Sequence, residues 1–196
     1  MEYKEILGLI SVVLALGISL SYLYTIVKGK TRPHFYTIAI DAIISTIVIA
    51  GAFYAGAGAG VWNLAASTSI VYVIVVLCWF KYATKDVTRL DGMFAAASLL
   101  TVIPWILTND PTLSVVLASL ISVLSLLPAI RKTWNNPYSE PWSIWGINAS
   151  KHVIAIAATS AFSVATLAYP VTIITTNALF ALMILYRRRS IKPRNR

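Results

Sequence analysis

Seven apolar segments cover most of the chain, and this pattern restricts its fold more than any other sequence feature. They comprise residues 6–27, 35–54, 61–80, 93–107, 113–130, 144–162 and 167–186. A helix that spans a bilayer needs about 20 mostly apolar residues. The composition agrees, because 58% of residues are hydrophobic and 12% are charged, whereas soluble domains average roughly 45–50% and about 25%. The sequence predicts an all-α integral membrane protein with seven transmembrane helices, and excludes a disordered chain or a soluble enzyme with one anchor.

Two segments carry local signals of their own. The fourth is short and contains Pro104, which predicts a kink because proline lacks a backbone donor. The second and third are joined by Gly-Ala-Gly-Ala-Gly at 56–60, which predicts a flexible turn.

The basic residues indicate the orientation of the bundle. The chain has 16 Lys and Arg against 7 Asp and Glu, a net charge of +9. With seven spans, every Lys and Arg except Lys4 and Lys151 falls on the side of the C-terminal tail. Cytoplasmic loops carry the excess of basic residues, so the tail is predicted to be cytoplasmic and the N-terminus outside the cell membrane. The charge therefore indicates topology in a lipid bilayer rather than a nucleic-acid partner, and a homo-oligomer stays open.

Two parts of the chain resemble each other. LSYLYTIVK at 20–28, a basic loop and PHFY at 33–36 correspond to LSLLPAIRK at 124–132, a loop and PWSI at 141–144. Three helices are an odd number, so a fourth must cross the membrane before the triplet repeats in the same orientation. The expected organisation is two parallel three-helix repeats joined by a linker helix: a first triplet at 1–84, the linker at 85–110, and a second triplet with a basic tail at 111–196.

Two motifs of the second repeat resemble a known family. LPAIRK at 127–132 resembles the Pro-Gln-Ile-x-Lys motif of the PQ loop, with Ala129 in place of Gln, and SEPWSIW at 139–145 resembles the Ser-Thr-Glu-Gly-Leu-Ser stretch that follows it. With the three-one-three order, the chain resembles the SWEET sugar transporters and their PQ-loop relatives. The resemblance implies alternating-access transport of a small solute and a pocket asparagine at Asn177. SWEET pockets carry Trp where this chain has Ile49 and Ala157, so a sugar and another small polar or zwitterionic solute both stay open.

Polar residues inside the apolar segments are the candidates for function. An ionisable residue at membrane depth is costly, so it usually faces the bundle interior and contributes to function or to a pair. Asp41 lies in the second segment with Ser45 one turn later, and Lys151 and His152 lie in the sixth with Asn148 one turn before. We predict that these residues and Asn177 line a central substrate cavity. Asp41 and Lys151 would pair when it is empty, or form a static pair that only fixes helix packing.

Other residues have two interpretations each. His152 either relays a proton or is a hydrogen-bonded packing group. Pro33, Pro128 and Pro141, near predicted cytoplasmic helix ends, are hinges or simply shape turns. Trp145, together with Trp142, is an interfacial anchor or a gate.

The predicted function is a small-solute transporter. The alternatives are a vitamin-precursor carrier of the nicotinamide riboside type and a non-transporting seven-helix receptor or sorting protein. We expect no cofactor, metal site or enzymatic activity, because the sequence has no nucleotide-binding motif, no metal-ligand spacing and no paired catalytic acids at membrane depth.

Overall fold

The computed structural model of the protein describes residues 2–29, 35–82, 89–138 and 140–190. The helices are, in chain order, α1 (Tyr3–Val27), α2 (Phe35–Tyr54), α3 (Trp62–Leu77), α4 (Arg89–Leu100), α5 (Ile103–Thr108), α6 (Thr112–Asn135), α7 (Trp142–Ala158) and α8 (Val164–Ser190). A 3₁₀ turn, Gly58–Val61, leads into α3, and a π-helical turn, Cys78–Tyr82, follows it. The described ranges contain no strand, and the prediction of an all-α chain is confirmed.

Several helices are long and apolar enough to cross a bilayer. Within the described ranges these are Tyr3–Val27, Gly58–Phe80, Thr112–Asn135 and Val164–Ser190, with Ile38–Tyr54 and Ala96–Thr108 as shorter apolar helices. The 24 residues of α6 span about 36 Å, more than the hydrocarbon core of about 30 Å. Large apolar side chains also face outward from α1, including Leu9, Ile10 and Val13. Such a surface fits lipid better than water, as expected of a membrane protein.

The fourth apolar segment is broken rather than continuous. α4 ends at Leu100, and α5 begins at Ile103 with Pro104 in its first turn. Proline fits the first turn of a helix, where its missing N–H has no helical partner, but not the interior. The kink predicted at Pro104 is therefore a break just before it. The backbone N–H of Trp105 donates to Ser114 Oγ at 3.1 Å and fixes α5 to α6.

Glycine permits close approach of several helices at one end of the bundle. A Cβ at Gly8 in α1 would lie 2.8 Å from the Ala59 Cβ just before α3. A Cβ at Gly51, near the end of α2, would lie 2.6 Å from Val115 Cγ2 in the first turn of α6. Small residues at such crossings allow helix backbones in membranes to pack closely. We call this end, which includes the Gly56–Gly60 segment, the turn end.

Arginine side chains organise the opposite end, which we call the basic end. Arg188 in the last turn of α8 donates to the carbonyl oxygens of Pro137, at 3.0 Å, and Glu140, at 2.9 Å. Arg187 donates to the carbonyl of Trp134 at 3.1 Å and stacks over its ring. These contacts hold the end of α8 against the connection between α6 and α7.

The third helix of each half of the chain contacts the two before it. α3 contacts α1 and α2, and α8 contacts α6 and α7. Between the halves, α1 contacts α7 and α2 contacts α6, while α4 contacts α2 and α6. A buried apolar cluster joins α2, α3, α6 and α8; its members are Ile40, Ile44, Val48, Leu64, Val115, Ala118, Ile121 and Tyr169.

The Gly56–Gly60 segment is a packed turn, which corrects the predicted flexible turn. Gly56 and Gly58 have φ angles of 80° and 59°, a region that glycine enters without strain. Ala57 and Ala59 are buried. The glycines shape a tight turn and let it pack against its neighbours, so their conformational freedom does not make this segment loose.

Candidate functional site

A cavity of about 420 Å³ lies between α1, α2, α3, α6, α7 and α8. All six residues predicted to bind substrate line it: Asp41, Ser45, Asn148, Lys151, His152 and Asn177. Its volume falls within the range of about 300–1,000 Å³ typical of small-molecule sites. The structure thus brings the predicted site residues together, while their role in binding stays a prediction.

One face of α7 supplies most of the polar lining. Trp145, Asn148, Lys151 and His152 all line the cavity. Their spacing of three, three and one residues places them on one side of a helix with 3.6 residues per turn. Ser150 is exposed, and its hydroxyl bonds the helix's own carbonyl at Gly146, 3.0 Å away. The cavity face of α7 is therefore set by its sequence period.

Lys151 is buried and is fixed from α3. Its Nζ donates to Ser67 Oγ at 3.2 Å, and the Ser67 hydroxyl donates to the carbonyl of Asn63 at 2.8 Å. Asn63 Nδ2 lies 3.5 Å from the Lys151 carbonyl. An ammonium group has three donors, and Ser67 satisfies one of them. The remaining donors are available to the cavity.

Asp41 faces the same cavity and keeps an exposed surface there. Within the described residues, no Lys151 nitrogen lies within 4.0 Å of an Asp41 carboxylate oxygen. The direct pair predicted for an empty cavity is thus absent from this structure, because Lys151 is held by Ser67 on α3 instead. Opposite charges act on each other across the cavity rather than through a hydrogen bond. One turn after Asp41, Ser45 is buried and lines the cavity together with Tyr169.

An amide pair joins α7 to α8 beside these charges. Asn148 Nδ2 donates to Asn177 Oδ1 at 3.1 Å, and Asn177 Nδ2 donates to the carbonyl of Ile173 at 2.8 Å. Both side chains line the cavity. Amides offer donors and acceptors without charge, so this wall can bind hydroxyl, carboxylate or amine groups.

His152 separates the main cavity from a second cavity of about 20 Å³ and lines both. Its ring lies edge-on to Tyr169, with 6.0 Å between centroids. Asn63 lines the small cavity, and its Oδ1 is buried without a hydrogen-bond partner. The packing interpretation and the relay interpretation of His152 both fit this position.

The predicted hinges and gate occupy different places. Trp145 lines the cavity, and its ring meets Phe180 edge-on at 4.5 Å. Pro141 is the N-cap of α7 with an extended backbone. Pro128 lies within α6, and nothing is described of its side chain. Pro33 lies outside the described residues.

Sequence reasoning missed several lining residues. Tyr22, Ser67, Thr68 and Tyr169 line the main cavity, and Ser67 is a direct partner of Lys151. One signal was available, because Asn63 and Ser67 are four residues apart and so share a helix face. Ile49 and Ala157, which the sequence resemblance matches with SWEET pocket tryptophans, are not among the lining residues. Ser122 and Ser125 of α6 are among the residues that line the main cavity.

The chain matches no protein-family model, no curated protein and no solved structure. The resemblance to SWEET and PQ-loop transporters therefore stands on the sequence motifs alone.

Proposed function

We propose that this protein is a small-solute membrane transporter that works by alternating access around the central cavity. The observation that carries the proposal is the cavity itself, in which Asp41 and Lys151 present opposite charges without direct contact. Charges inside a membrane protein are costly and usually serve a pathway or a partner. A solute with polar or charged groups would compensate both while it crosses.

The arrangement of helices supports two parallel repeats. We propose seven spans, with α4 and α5 together as the fourth, so that α1 to α3 and α6 to α8 are equivalent triplets. The third helix of each triplet contacts the first and second. The contact of α1 with α7 then corresponds to that of α6 with α2. Pairs of this kind are expected for repeats related by an axis along the membrane normal, and transporters use such repeats to rock around a central site.

Charge at the helix ends supports the proposed orientation. Arg187, Arg188 and Arg189 end α8, and Arg131 lies near the end of α6. Lys4 is the basic residue near the start of α1, where Gly8 packs at the turn end. Under the positive-inside rule the basic end faces the cytoplasm.

The lining favours a small polar or zwitterionic solute over an apolar one. Asp41 would hold a cationic or hydroxyl group, Lys151 an anionic or hydroxyl group, and Asn148 and Asn177 would orient the remainder. A charge-assisted hydrogen bond contributes about 1.5–3 kcal/mol. Loss of either charged partner should therefore weaken binding by roughly 10- to 100-fold.

Purified protein in liposomes tests this function. The probes are radiolabelled alanine, glycine betaine, glucose and nicotinamide riboside, each measured for binding by thermal stabilisation and for counterflow. We expect at least one to be carried, with Asp41→Asn and Lys151→Met reducing its flux. Ser150→Ala is the matched control, since Ser150 lies on α7 next to Lys151 but away from the cavity.

Two results would contradict transport. Saturable binding without counterflow would favour the receptor or sorting alternative. If no probe is bound or carried by a protein that is folded and monodisperse, the small-solute proposal fails for these solute classes.

A further inference from the structure

Two turns meet at the turn end and are joined through their backbones. The Gly56–Gly60 turn connects α2 to α3, and the Thr159–Ala161 turn follows α7. The Ser160 N–H donates to the Ala57 carbonyl at 3.0 Å, and the Ala161 N–H donates to the Gly56 carbonyl at 3.1 Å. One turn belongs to the first half of the chain and the other to the second. The two halves are therefore held together here by hydrogen bonds that need no particular side chain.

The two turns leave no space between them. A Cβ at Gly58 would lie 3.0 Å from the Ser160 Cβ. A Cβ at Gly60 would lie 2.9 Å from the Thr159 Cα and equally close to the carbonyl oxygen of Ala155. Thr159 is only 2% exposed. The turn end is thus closed by backbone packing.

The small cavity lies directly behind these turns. Ala57 and Gly60 of the first turn line it on one side. Leu64, His152 and Tyr169 line both the small cavity and the main cavity. A single layer of side chains therefore separates the main cavity from the small one. A volume of about 20 Å³ can hold one water, which needs about 10–15 Å³.

Asn63, which lines the small cavity, has a side-chain Oδ1 without a hydrogen-bond partner. Asn63 lines it with 0% of its surface exposed. A buried acceptor without a partner is costly, so access of water to this cavity would stabilise it. A region that only blocked the pathway with apolar side chains would not need a polar side chain like that of Asn63.

The exposed part of the main-cavity lining lies toward the basic end. Its exposed lining residues are Tyr22, Asp41, Ser125 and Ile144, each in the half of its helix nearer the basic end. Lining residues nearer the turn end, such as Leu64 and Tyr169, are buried. The two turns are packed together at the turn end, whereas the exposed lining residues lie nearer the basic end.

We propose that the Gly56–Gly60 and Thr159–Ala161 turns are the gate at the turn end of the solute pathway, closed in this structure. In this proposal the small cavity at Asn63 holds water and is the next position along the solute pathway behind that gate. This inference rests on the proposed transport function, and it assigns the path between the main cavity and the turn end. Opening requires the two backbone hydrogen bonds to break.

Thiol accessibility tests the gate without any solute. The parent carries Cys78→Ala, because Cys78 is the single native thiol. Val48→Cys reports on the small cavity and Val71→Cys on the main cavity, which these residues line. A membrane-impermeant methanethiosulfonate is applied from either side of proteoliposomes, with a C-terminal tag reporting sidedness. We expect Val71→Cys to react from the basic end and Val48→Cys to be protected from the turn end.

Gly60→Ala should open the gate, because its Cβ meets backbone atoms of Ala155 and Thr159. We expect Val48→Cys to react from the turn end about tenfold faster, equivalent to a population shift of about 1.4 kcal/mol. Gly17→Ala is the matched control, since a Cβ there meets nothing within 4 Å. Ser160→Pro is a second route: it removes the N–H that bonds Ala57, and the extended Thr159 before it (φ −68°, ψ 134°) tolerates a following proline.

Equal labelling of Val48→Cys from the turn end in the parent and in both gate variants, whether high or absent, would overturn the proposal. A retained cooperative thermal unfolding transition shows that a variant is folded. If the gate opens but no solute is carried, the transport function fails and the gate assignment stands, so the two failures are distinguishable.

Discussion

Removal of the Asp41 charge should destabilise the fold only while Lys151 is present. Asp41→Asn leaves the ammonium of Lys151 buried, with Ser67 as its bonded partner and no opposing charge in the cavity. Lys151→Met removes that ammonium and fills similar volume with an apolar chain. In the double variant neither charge remains, so Asp41→Asn should cost little in that background.

The size of this coupling follows from the separation of the two groups. Opposite charges 4 Å apart interact by about 4 kcal/mol at an effective dielectric constant near 20 and about 1 kcal/mol in water. Asp41 and Lys151 are farther apart than 4.0 Å and Asp41 is accessible in the cavity. We therefore expect a coupling energy of about 1–3 kcal/mol, below the 4 kcal/mol limit.

A double-mutant cycle measures that energy. Reversible denaturant unfolding of the parent, the two single variants and the double variant gives four free energies of unfolding, and their difference isolates the pair. A coupling below about 0.5 kcal/mol, the level at which distant sites are additive, would refute the reasoning. It would mean that the charges of Asp41 and Lys151 do not interact measurably across the cavity.

Two further predictions concern packing and pH. Gly51→Ala should destabilise the fold by about 1–3 kcal/mol, because its Cβ would lie 2.6 Å from Val115 Cγ2. Gly17→Ala is the control, since a Cβ there meets nothing within 4 Å and should cost no packing energy. Unfolding in detergent compares the two variants, and equal stabilities would contradict the prediction. Hydrogen bonds from Thr112 lower the pKa of Asp110, which lies between α5 and α6, below its ordinary value. A lowered folded pKa gives stability that is present above the unfolded pKa and lost as the pH falls through the folded pKa. The melting temperature of the parent should therefore fall as the pH drops below about 4, and this fall should be smaller in Asp110→Asn. An equal fall in both proteins would contradict the prediction.

The sequence predicted the cavity residues because charged and amide side chains are rare in its apolar segments. Asp41 and Lys151 are unusual at membrane depth, so the sequence predicts that they either line one cavity or form a pair that fixes helix packing. The face shared by Asn148, Lys151 and His152 follows from helix period alone. Placement around one cavity was predictable where a local rule and an unusual residue coincided, and substrate binding by these residues stays a prediction.

Contacts between distant segments could not be predicted in the same way. Ser67 lies 84 residues from Lys151, and a serine in an apolar helix more often permits close packing than binds a charge. The glycine-rich turn shows the same limit, because glycine gives a loose loop or a tight contact depending on what faces it. Here Thr159 and Ser160 face it, and the packing of the Gly58–Val61 turn against α7 brings them there.

Under the proposed repeat, the two halves of the chain carry different charges on equivalent helices. When PHFY at 33–36 is matched with PWSI at 141–144, Asp41 corresponds to Ala149 and Lys151 to Ile43. In that organisation each proposed triplet contributes one sign to the cavity, and the Asp41–Lys151 distance depends on how the two triplets sit relative to each other. A solute that binds both charges stabilises whichever arrangement fits its own charge separation. Under the proposed mechanism, solute binding is thereby coupled to the movement of one triplet against the other, since a ligand shifts an equilibrium only through its different affinity for the two states.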